Sequence, residues 1–259
     1  MDLQGKLIEG KTKIIYNYAP VDDLVVMYFK DDITAGDGVK HDKLEGKAYL
    51  DWNTNKNIFE FLNRCGINTH YVSSPEPQYT VVKALQRKIN LEVVSRRIAT
   101  GSIVKSGLYE EGKLFDPIIT QFYYKDDYLH DPMLDNDFIY YLIKNKNFND
   151  FDTMKEINQK VFFYLEKIFR ALGCQLIDFK LEYGIVDGKV TLIDEITAGS
   201  FRLWPFRDWY YDSNNDLYSQ LDPSGRLDKD VYRMGGGLKE VYNKFKIISD
   251  MTDQFEFMA

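Results

Sequence analysis

Charged and apolar residues alternate along residues 178–183, which read Asp178-Phe179-Lys180-Leu181-Glu182-Tyr183. Such alternation is typical of a β-strand, whose successive side chains point to opposite faces. We therefore expect Asp178, Lys180 and Glu182 to share one face of a sheet. A lysine between two carboxylates could cradle a nucleotide phosphate and its magnesium ion, because Mg²⁺ is usually bound through carboxylates together with substrate phosphates. The same pattern would also fit a half-exposed strand whose charges are solvated.

An Asp187-Gly188 pair follows this strand, and an apolar run, Leu192-Ile193, follows the pair, so that the segment predicts a β-hairpin. A three-residue loop with Gly188 in the left-handed conformation would place Glu182 and Asp194 on the same face, diagonal to one another. A two-residue loop would place them on opposite faces, because a one-residue slip of register turns every side chain over. The predicted cradle therefore depends on the three-residue loop.

Two lysines alternate within Glu9-Gly10-Lys11-Thr12-Lys13, at the start of a predicted pair of strands. Lys11 and Lys13 on one face could bind phosphates, and Gly10 permits a close approach of the backbone. The segment is not a Walker loop, because the Gly-x4-Gly-Lys-Ser/Thr spacing is absent. A surface turn with two solvated lysines is the alternative.

Three arginines are further candidates for binding anions, because a guanidinium donates bidentate hydrogen bonds to phosphates and carboxylates. Arg96 precedes Gly101-Ser102, Arg202 follows the predicted hairpin, and Arg233 precedes three glycines. Each arginine taken alone also fits an ordinary surface position. The sequence contains neither a nucleophile motif nor a dinucleotide-binding glycine pattern, and so gives no support to covalent catalysis.

The bulk properties argue against several classes of protein. The chain has 259 residues, 44% of them hydrophobic, which is enough for one large domain or two joined lobes. Its net charge of -7 disfavours a general nucleic-acid-binding protein. We find no apolar run long enough to cross a bilayer and no signal peptide. With only Cys65 and Cys174 as cysteines, these features predict a cytoplasmic protein with reduced thiols that binds neither nucleic acid nor membrane.

The order of the predicted elements favours an α+β fold. Short β-type runs dominate the first hundred residues, and one helix is expected at about residues 43–64. A capping box from Thr153 to Glu156 predicts the start of a second helix, and a last helix is expected from near Asp230 to Ile248. We divide the chain into a strand-rich lobe, residues 1–86, and an α+β lobe, residues 87–259.

Taken together and in order, these segments resemble the SAICAR synthetase family, the phosphoribosylaminoimidazole-succinocarboxamide synthetases, over nearly the whole chain. The matching segments are Glu9-Gly10-Lys11-Thr12-Lys13, Thr34-Ala35-Gly36-Asp37-Gly38, Glu92 to Ser102, Tyr124-Lys125-Asp126-Asp127, Asp178 to Glu182, Asp194-Glu195-Ile196, Arg202-Leu203-Trp204 and Leu227-Asp228-Lys229-Asp230. The ordered set is far more specific than any one of its members. The resemblance implies a two-lobed fold with an ATP-binding cleft between the lobes.

Members of this family use ATP to join the carboxylate of a carboxylated aminoimidazole ribotide (CAIR) to the amino group of L-aspartate, in de novo purine biosynthesis. Because a carboxylate is a poor electrophile, ATP would first convert it to an acyl phosphate, which the amine would then attack. The resemblance thus implies ATP and Mg²⁺ as cofactors, small-molecule carboxylate and amine substrates, and a homo-oligomer.

The resemblance also implies a role for each candidate residue. The residues expected to bind ATP phosphates are Lys11, Lys13 and Lys125. Magnesium would be bound by Glu182 and Asp194. The expected catalytic residues are Lys180, Lys125 and Arg202. The phosphate and carboxylates of the substrates would be bound by Arg96, Ser102, Arg202 and Arg233.

The chain departs from the family pattern after Asp194-Glu195. It has Gly199 where an aspartate is expected, Phe201 where a small residue is expected, and an aromatic insertion at residues 205–226. These departures support an alternative, namely a relative that uses the same ATP chemistry to make a different amide in specialised metabolism. A third interpretation, a nucleotide-binding protein that has lost catalysis, is disfavoured by the retained lysines and carboxylates.

Overall fold

The structure is a computed structural model, and it describes residues 1, 3–19, 21–35, 39–143, 149–206, 225–228 and 230–258. Two segments singled out from the sequence fall outside these ranges. They are Gly36-Asp37-Gly38 and residues 207–224 of the aromatic insertion, with Trp209, Tyr210, Tyr211 and Tyr218. The predictions that concern them are therefore neither confirmed nor contradicted.

Strands and helices alternate irregularly along the chain. The strands are β1 (Leu3–Glu9), β2 (Lys13–Tyr18), β3 (Leu24–Phe29), β4 (Asp32–Ala35), β5 (Lys40–Lys43), β6 (Tyr71–Glu76), β7 (Tyr79–Lys83), β8 (Arg87–Ile98), β9 (Leu114–Tyr124), β10 (Met133–Leu134), β11 (Cys174–Val186), β12 (Lys189–Ile193) and β13 (Phe201–Pro205). The helices are α1 (Lys47–Arg64), α2 (Ser102–Lys105), α3 (Asn136–Ile143), α4 (Asn149–Ala171), α5 (Asp230–Arg233) and α6 (Leu238–Thr252). Short 3₁₀ turns lie at Asp127–Leu129 and Asp253–Phe257.

The strands form two main antiparallel sheets and a small hairpin. The first sheet has the order β1-β2-β3-β7-β6, and the second has the order β10-β9-β8-β11-β12, with β13 also paired to β11. Within the described ranges, strands β4 and β5 form a separate two-stranded sheet. The chain passes from the first sheet to the second between β7 and β8, at residues 84–86. The division into lobes at residue 86 stays a prediction.

Strand β11 is central to the second sheet, because β8 pairs along one edge while β13 and β12 pair in succession along the other. One face of this sheet packs against α4, where Phe162 contacts the ring of Phe179 and Asn158 accepts a hydrogen bond from Tyr183. These residues belong to the buried core. The opposite face of β11 is left for polar side chains.

Two predicted helix boundaries were wrong. Helix α4 begins at Asn149, so the predicted capping box from Thr153 lies inside the helix. The expected last helix is two helices, α5 and α6, separated at Gly235-Gly236-Gly237. The second error has a physical reason, because consecutive glycines carry a high entropic cost in a helix.

Two other predictions concern membrane-spanning segments and the state of the cysteines. None of the helices in the described ranges is both long and apolar enough to span a membrane. Cys65 and Cys174 are free thiols, and burial raises the pKa of the Cys174 thiol well above its ordinary value.

Candidate active site

The predicted sharing of one face by Asp178, Lys180 and Glu182 is confirmed. Across the pairing of β11 with β8, these three residues lie opposite Arg96, Val94 and Glu92 respectively. Residues directly opposite in an antiparallel pair point to the same face. Since Phe179, Leu181 and Tyr183 belong to the buried core, the polar set occupies the face that α4 does not cover.

Of the two loop lengths considered, the hairpin has the shorter one. Val186 pairs with Lys189, so the hairpin has a two-residue loop in which Asp187 and Gly188 both have positive φ, 51° and 71°. This is the backbone twist preferred by two-residue hairpins. Glu182 therefore pairs with Ile193, and regular alternation would send Asp194 to the opposite face.

Asp194 nevertheless reaches the polar face, because β12 ends at Ile193 and Asp194 has a φ of 69°. This left-handed conformation is uncommon outside glycine, although aspartate is among the residues that tolerate it. It interrupts the alternation and lets Asp194 Oδ1 lie 2.5 Å from Lys13 Nζ of the first sheet. Although burial lowers the pKa of Lys13 and of Lys125, the charges of Asp194 and Glu182 both act to raise it, so the two carboxylates act on the same lysines. That Glu182 and Asp194 together bind magnesium stays a prediction.

We call the lysine cluster the set of ion pairs built around these carboxylates. Its lysines are Lys13, Lys88, Lys125 and Lys180, and its acids are Glu92, Glu182, Asp194 and Glu195. Lys125 and Lys88 contact the two oxygens of Glu182, the second at 2.8 Å, while Lys180 contacts Glu92. Four lysines and four carboxylates leave the cluster with no net charge.

The charges of the lysine cluster shift the pKa values of Asp194 and Lys125. Burial raises the pKa of Asp194, but the charges of Lys13, Lys88 and Lys125 outweigh burial and hold that pKa below its ordinary value. Conversely, burial lowers the pKa of Lys125, but the charges of Glu182, Asp194 and Glu92 and the hydrogen bond to Glu182 together outweigh it and raise the pKa. Both groups are therefore ionised at neutral pH.

His70 lies behind this cluster, and burial lowers its pKa to about 4. Its Nε2 atom is 3.0 Å from the backbone carbonyl oxygen of Asp194. A carbonyl oxygen only accepts hydrogen bonds, so Nε2 carries the proton and donates.

A second group, the arginine cluster, lies on the same face toward the other end of β11. Arg96 Nη1 and Arg202 Nη1 both donate to Asp178 Oδ2, at 2.6 and 2.7 Å. Arg96 also donates through Nε to Gln121 Oε1 (3.0 Å) and through Nη2 to Ser102 Oγ (3.1 Å). Its three guanidinium nitrogens are therefore all held by neighbouring side chains. Asp178 serves this cluster, whereas the sequence had placed it in the phosphate and magnesium cradle.

Arg202 is held on two further sides. Its Nε donates to Asp230 Oδ2 at 3.0 Å, and the other oxygen of Asp230 lies 2.5 Å from Arg233 Nη1. Gly101, whose φ is 67°, lies against the guanidinium, since a Cβ added there would be 2.7 Å from Arg202 Nη2. The arginine cluster thus brings together Arg96, Ser102, Arg202 and Arg233, the predicted substrate-binding residues.

The carboxylate oxygens of the lysine cluster are the candidate ligands for magnesium. Within the described ranges, no group of three or more His, Cys, Asp and Glu side chains is arranged to hold a metal ion. Two buried oxygens, Glu182 Oε2 and Glu195 Oε2, accept no hydrogen bond in the described part of the chain, although each lies near a lysine. Because Mg²⁺ commonly uses one or two carboxylates and completes its shell with water and substrate phosphates, these oxygens fit such an ion.

The sequence reasoning located most of the cluster residues but missed several. Lys13, Lys125, Lys180, Glu182 and Asp194 meet in the lysine cluster. Lys11 is exposed, and the ion pairs described above do not include it. Asp178 was placed in the wrong cluster, and the residues that were missed as site residues are His70, Lys88, Glu92, Gln121, Glu195 and Asp230. Strand alternation from Arg96 could have found Glu92, but nothing local distinguishes His70 or Gln121.

Comparison with known proteins identifies the family. The family model described as SAICAR synthetase matches residues 6–247, so the chain belongs to the SAICAR synthetase family. It is 36% identical over 262 residues to the phosphoribosylaminoimidazole-succinocarboxamide synthase of Chloroflexus aurantiacus, with 98% of each chain covered. The resemblance inferred from the sequence is thereby confirmed.

Solved structures agree with this assignment. The crystal structure of the synthase of the same name from Ehrlichia chaffeensis matches with a TM-score of 0.83 at 29% identity, covering 96% of this chain and 98% of that one. A SAICAR synthetase in complex with ADP matches with a TM-score of 0.76 at 32% identity, covering 92% and 96%. These matches confirm the predicted α+β fold, while the ATP cleft between two lobes stays a prediction.

The departure at Phe201 has a structural explanation that does not involve substrate. Phe201 is buried, and its ring packs 5.4 Å from that of Phe169 on α4. It therefore faces the core, on the side of β13 opposite to Arg202. Phe201 therefore gives no support to the alternative of changed substrates.

Proposed function

We propose that the protein is an ATP-dependent amide-forming ligase that joins CAIR to L-aspartate through an acyl phosphate, in de novo purine biosynthesis. Its membership of the SAICAR synthetase family supports this proposal. So does the printed name of its relative from Chloroflexus aurantiacus. ATP as the co-substrate is further supported by the related structure in complex with ADP.

One observation carries the proposal. Strand β11 contributes Asp178 to the arginine cluster and Glu182 to the lysine cluster on one face, with Lys180 between them. At about 3.3 Å per residue, Asp178 and Glu182 are separated by about 13 Å along the strand, with Lys180 about halfway. This spacing suits a nucleoside triphosphate at the lysine cluster and a carboxylate substrate at the arginine cluster, with transfer of a phosphoryl group between them.

The lysine cluster would bind the nucleotide. Lys13 and Lys125 would hold its phosphates, and Lys11, one residue before Thr12, would reach them from the exposed side. Glu182 and Asp194 would bind Mg²⁺, which when bound neutralises phosphate charge and orients the phosphates. When the nucleotide and Mg²⁺ bind, the lysines would exchange carboxylate oxygens for phosphate oxygens, and the carboxylates would exchange lysines for the metal ion. The equal number of lysines and carboxylates permits this exchange of partners.

The arginine cluster would bind the ribotide. Arg96, Arg202 and Arg233 present guanidinium groups suited to a phosphate and a carboxylate, and Ser102 adds a hydroxyl beside Arg96. Because Asp178 and Asp230 already fix these side chains, little conformational entropy is lost when the anion binds.

The chemistry needs positioning and charge neutralisation more than a protein nucleophile. The carboxylate oxygen of the ribotide attacks the γ-phosphorus of ATP, and ADP leaves. The amino group of aspartate, having lost a proton, then attacks the acyl carbon, and inorganic phosphate leaves as the amide forms. Lys180, Lys125 and Arg202 would neutralise the charge that develops on the transferred group.

The alternative, a ligase for a different amide, has lost one of its supports, because Phe201 lies in the core. Of its other two supports, the role of Gly199 stays a prediction, and the aromatic insertion lies largely outside the described residues. We therefore propose the purine-pathway reaction as the function. We also propose, from the family, a cytoplasmic homo-oligomer that acts on small molecules and binds neither nucleic acid nor membrane.

The test is ADP release by the purified protein with Mg-ATP, CAIR and L-aspartate, each omitted in turn, with the product identified by mass. We expect release to require all three and to yield the succinocarboxamide. ADP release that proceeds with another carboxylate or amine, but not with CAIR and aspartate, would replace this function with the alternative.

A further inference from the structure

His70 has no role in the proposed reaction, yet it contacts the backbone of Asp194, a proposed magnesium ligand. The imidazole is buried, with 3% of the residue exposed, and its Nε2 donates to the carbonyl oxygen of Asp194 over 3.0 Å. No other side-chain hydrogen bond to that carbonyl is found among the described residues. The contact lies at the position where strand alternation is interrupted.

The backbone of His70 is fixed on two sides. Its N–H donates to the carbonyl oxygen of Leu192 in β12 (3.0 Å), and its carbonyl oxygen accepts from the N–H of Lys83 in β7 (2.8 Å). His70 therefore joins the first sheet to the second. Because β12 ends one residue before Asp194, the ring is anchored immediately beside the residue that must turn.

The turn at Asp194 decides where its carboxylate goes. The two-residue loop and the pairing of Glu182 with Ile193 would send a regularly extended Asp194 to the face opposite Glu182. The positive φ of 69° reverses this outcome. A backbone held in a sparsely populated conformation persists only where its surroundings determine it, and the hydrogen bond from His70 is such a determinant.

We infer that His70 is a positioning residue that holds the Asp194 peptide in its left-handed conformation, so that the Asp194 carboxylate is presented beside Glu182 for a divalent cation. This inference rests on the proposed function, in which the two carboxylates bind Mg²⁺. His70 does not contact the cation, and acts through the orientation of a ligand, as hydrogen-bonding partners of metal ligands do.

The test compares two amides of different reach. The amide of glutamine in His70→Gln can occupy the position of Nε2, whereas that of asparagine in His70→Asn stops near Nδ1 and is too short to reach the carbonyl oxygen. Binding of Mn²⁺, a probe for Mg²⁺, is measured by electron paramagnetic resonance in the presence of saturating ADP. We expect the asparagine variant to bind Mn²⁺ about tenfold or more weakly, and the glutamine variant to bind it within about threefold of the unmodified protein.

Two further variants separate the possible causes of weakened Mn²⁺ binding in His70→Asn. Phe59→Leu alters packing against the imidazole, whose ring centroid is 5.6 Å away, but leaves the hydrogen bond intact, so Mn²⁺ affinity should not change. Asp194→Asn tests the proposed metal site itself and should weaken Mn²⁺ binding. If His70→Asn does not fold, as judged by circular dichroism, His70→Leu replaces it, since leucine has similar bulk and no donor.

The outcomes distinguish this inference from the proposed function. Unchanged Mn²⁺ affinity in His70→Asn, with weakened affinity in Asp194→Asn, would overturn the role of His70 and leave the metal site standing. An equal loss in the asparagine, glutamine and Phe59→Leu variants would also overturn it, because packing alone would explain the loss. Unchanged affinity in Asp194→Asn would overturn the metal site and this inference together.

Discussion

The two clusters on the polar face of β11 hold their charges in different ways. In the lysine cluster, side chains from different strands and loops each contact one or two carboxylates, and the side chains of Lys88, Lys125 and Lys180 are 40%, 34% and 43% exposed. In the arginine cluster, Arg96 and Asp178 each have only 5% of the side chain exposed. The lysines that bind Glu92 and Glu182 are thus partly solvated, whereas the ion pair of Arg96 with Asp178 is buried.

This difference corresponds to the two ligands that we propose. A nucleotide brings its own metal ion and leaves as a different molecule, so the lysines that bind it must exchange partners in every turnover. The ribotide must be held still while its carboxylate reacts, and this requires pre-oriented guanidinium groups. The buried aspartate between two arginines pre-orients them at the expense of desolvated charge.

The largest expected effect distinguishes the clusters by stability. Asp178→Asn removes the negative charge between two largely buried guanidinium groups, and breaking such an arrangement costs about 3 kcal/mol or more. Glu182→Gln removes a charge whose partners, Lys88 and Lys125, are partly exposed and can be hydrated, and it relieves the like-charge pairing with Glu92, so the loss should be about 1 kcal/mol or less. Urea unfolding of the two matched variants measures both values, and equal losses would contradict the distinction.

A second prediction concerns Gly101. Alanine at this position would place Cβ 2.7 Å from Arg202 Nη2, so the guanidinium must move. We expect Gly101→Ala to raise the KM for CAIR about 10- to 100-fold and to leave the KM for ATP within about twofold.

Gly107 is the matched control for this substitution. It also has a positive φ, 74°, but a Cβ there would have no atom within 4 Å. Gly107→Ala therefore also places alanine at a positive φ, but without touching Arg202. If it raised the KM for CAIR as much as Gly101→Ala does, strain in this region and not displacement of Arg202 would be the cause.

The smallest expected effect lies in the lysine cluster. Lys88 Nζ is 2.8 Å from Glu182 Oε2, and its charge helps to lower the pKa of Asp194. We expect Lys88→Ala to raise the KM for ATP about fivefold at low salt and by less at high salt, because a partly exposed charge is screened. Lys83→Ala is the control, since Lys83 is equally exposed but pairs with Asp187 at 3.2 Å. An equal effect of both substitutions would remove Lys88 from the site.

Strand alternation predicted the shared face of β11 because it is a local property, whereas the resemblance to the family implied most residues of both clusters. Alternation did not predict the partner of Asp178, since Arg96 and Arg202 reach that residue from β8 and β13, which are distant in sequence. Asp178 therefore looked like a third acid of a phosphate site. Contacts across a sheet depend on register, which a single strand does not encode.

The position of Asp194 was predicted for the wrong reason. Alternation was applied beyond the end of β12, where it no longer holds, so the two carboxylates were expected to share a face only with a three-residue loop. The actual cause is a backbone conformation supported by His70, from a segment more than a hundred residues earlier in the chain. Likewise, Phe201 appeared to be a substrate-side departure because its facing direction is set only by the pairing of β13 with β11.

The division of binding between the clusters is tested most directly by a crossed measurement of affinity. Isothermal titration calorimetry would measure the binding of Mg-ADP and of the succinocarboxamide product to Glu182→Gln and to Arg202→Lys. We expect the first variant to lose Mg-ADP affinity by about tenfold or more and to keep product affinity within about threefold, and the second to do the reverse, since lysine lacks the planar fork of arginine. Loss of the same ligand in both variants would contradict the account.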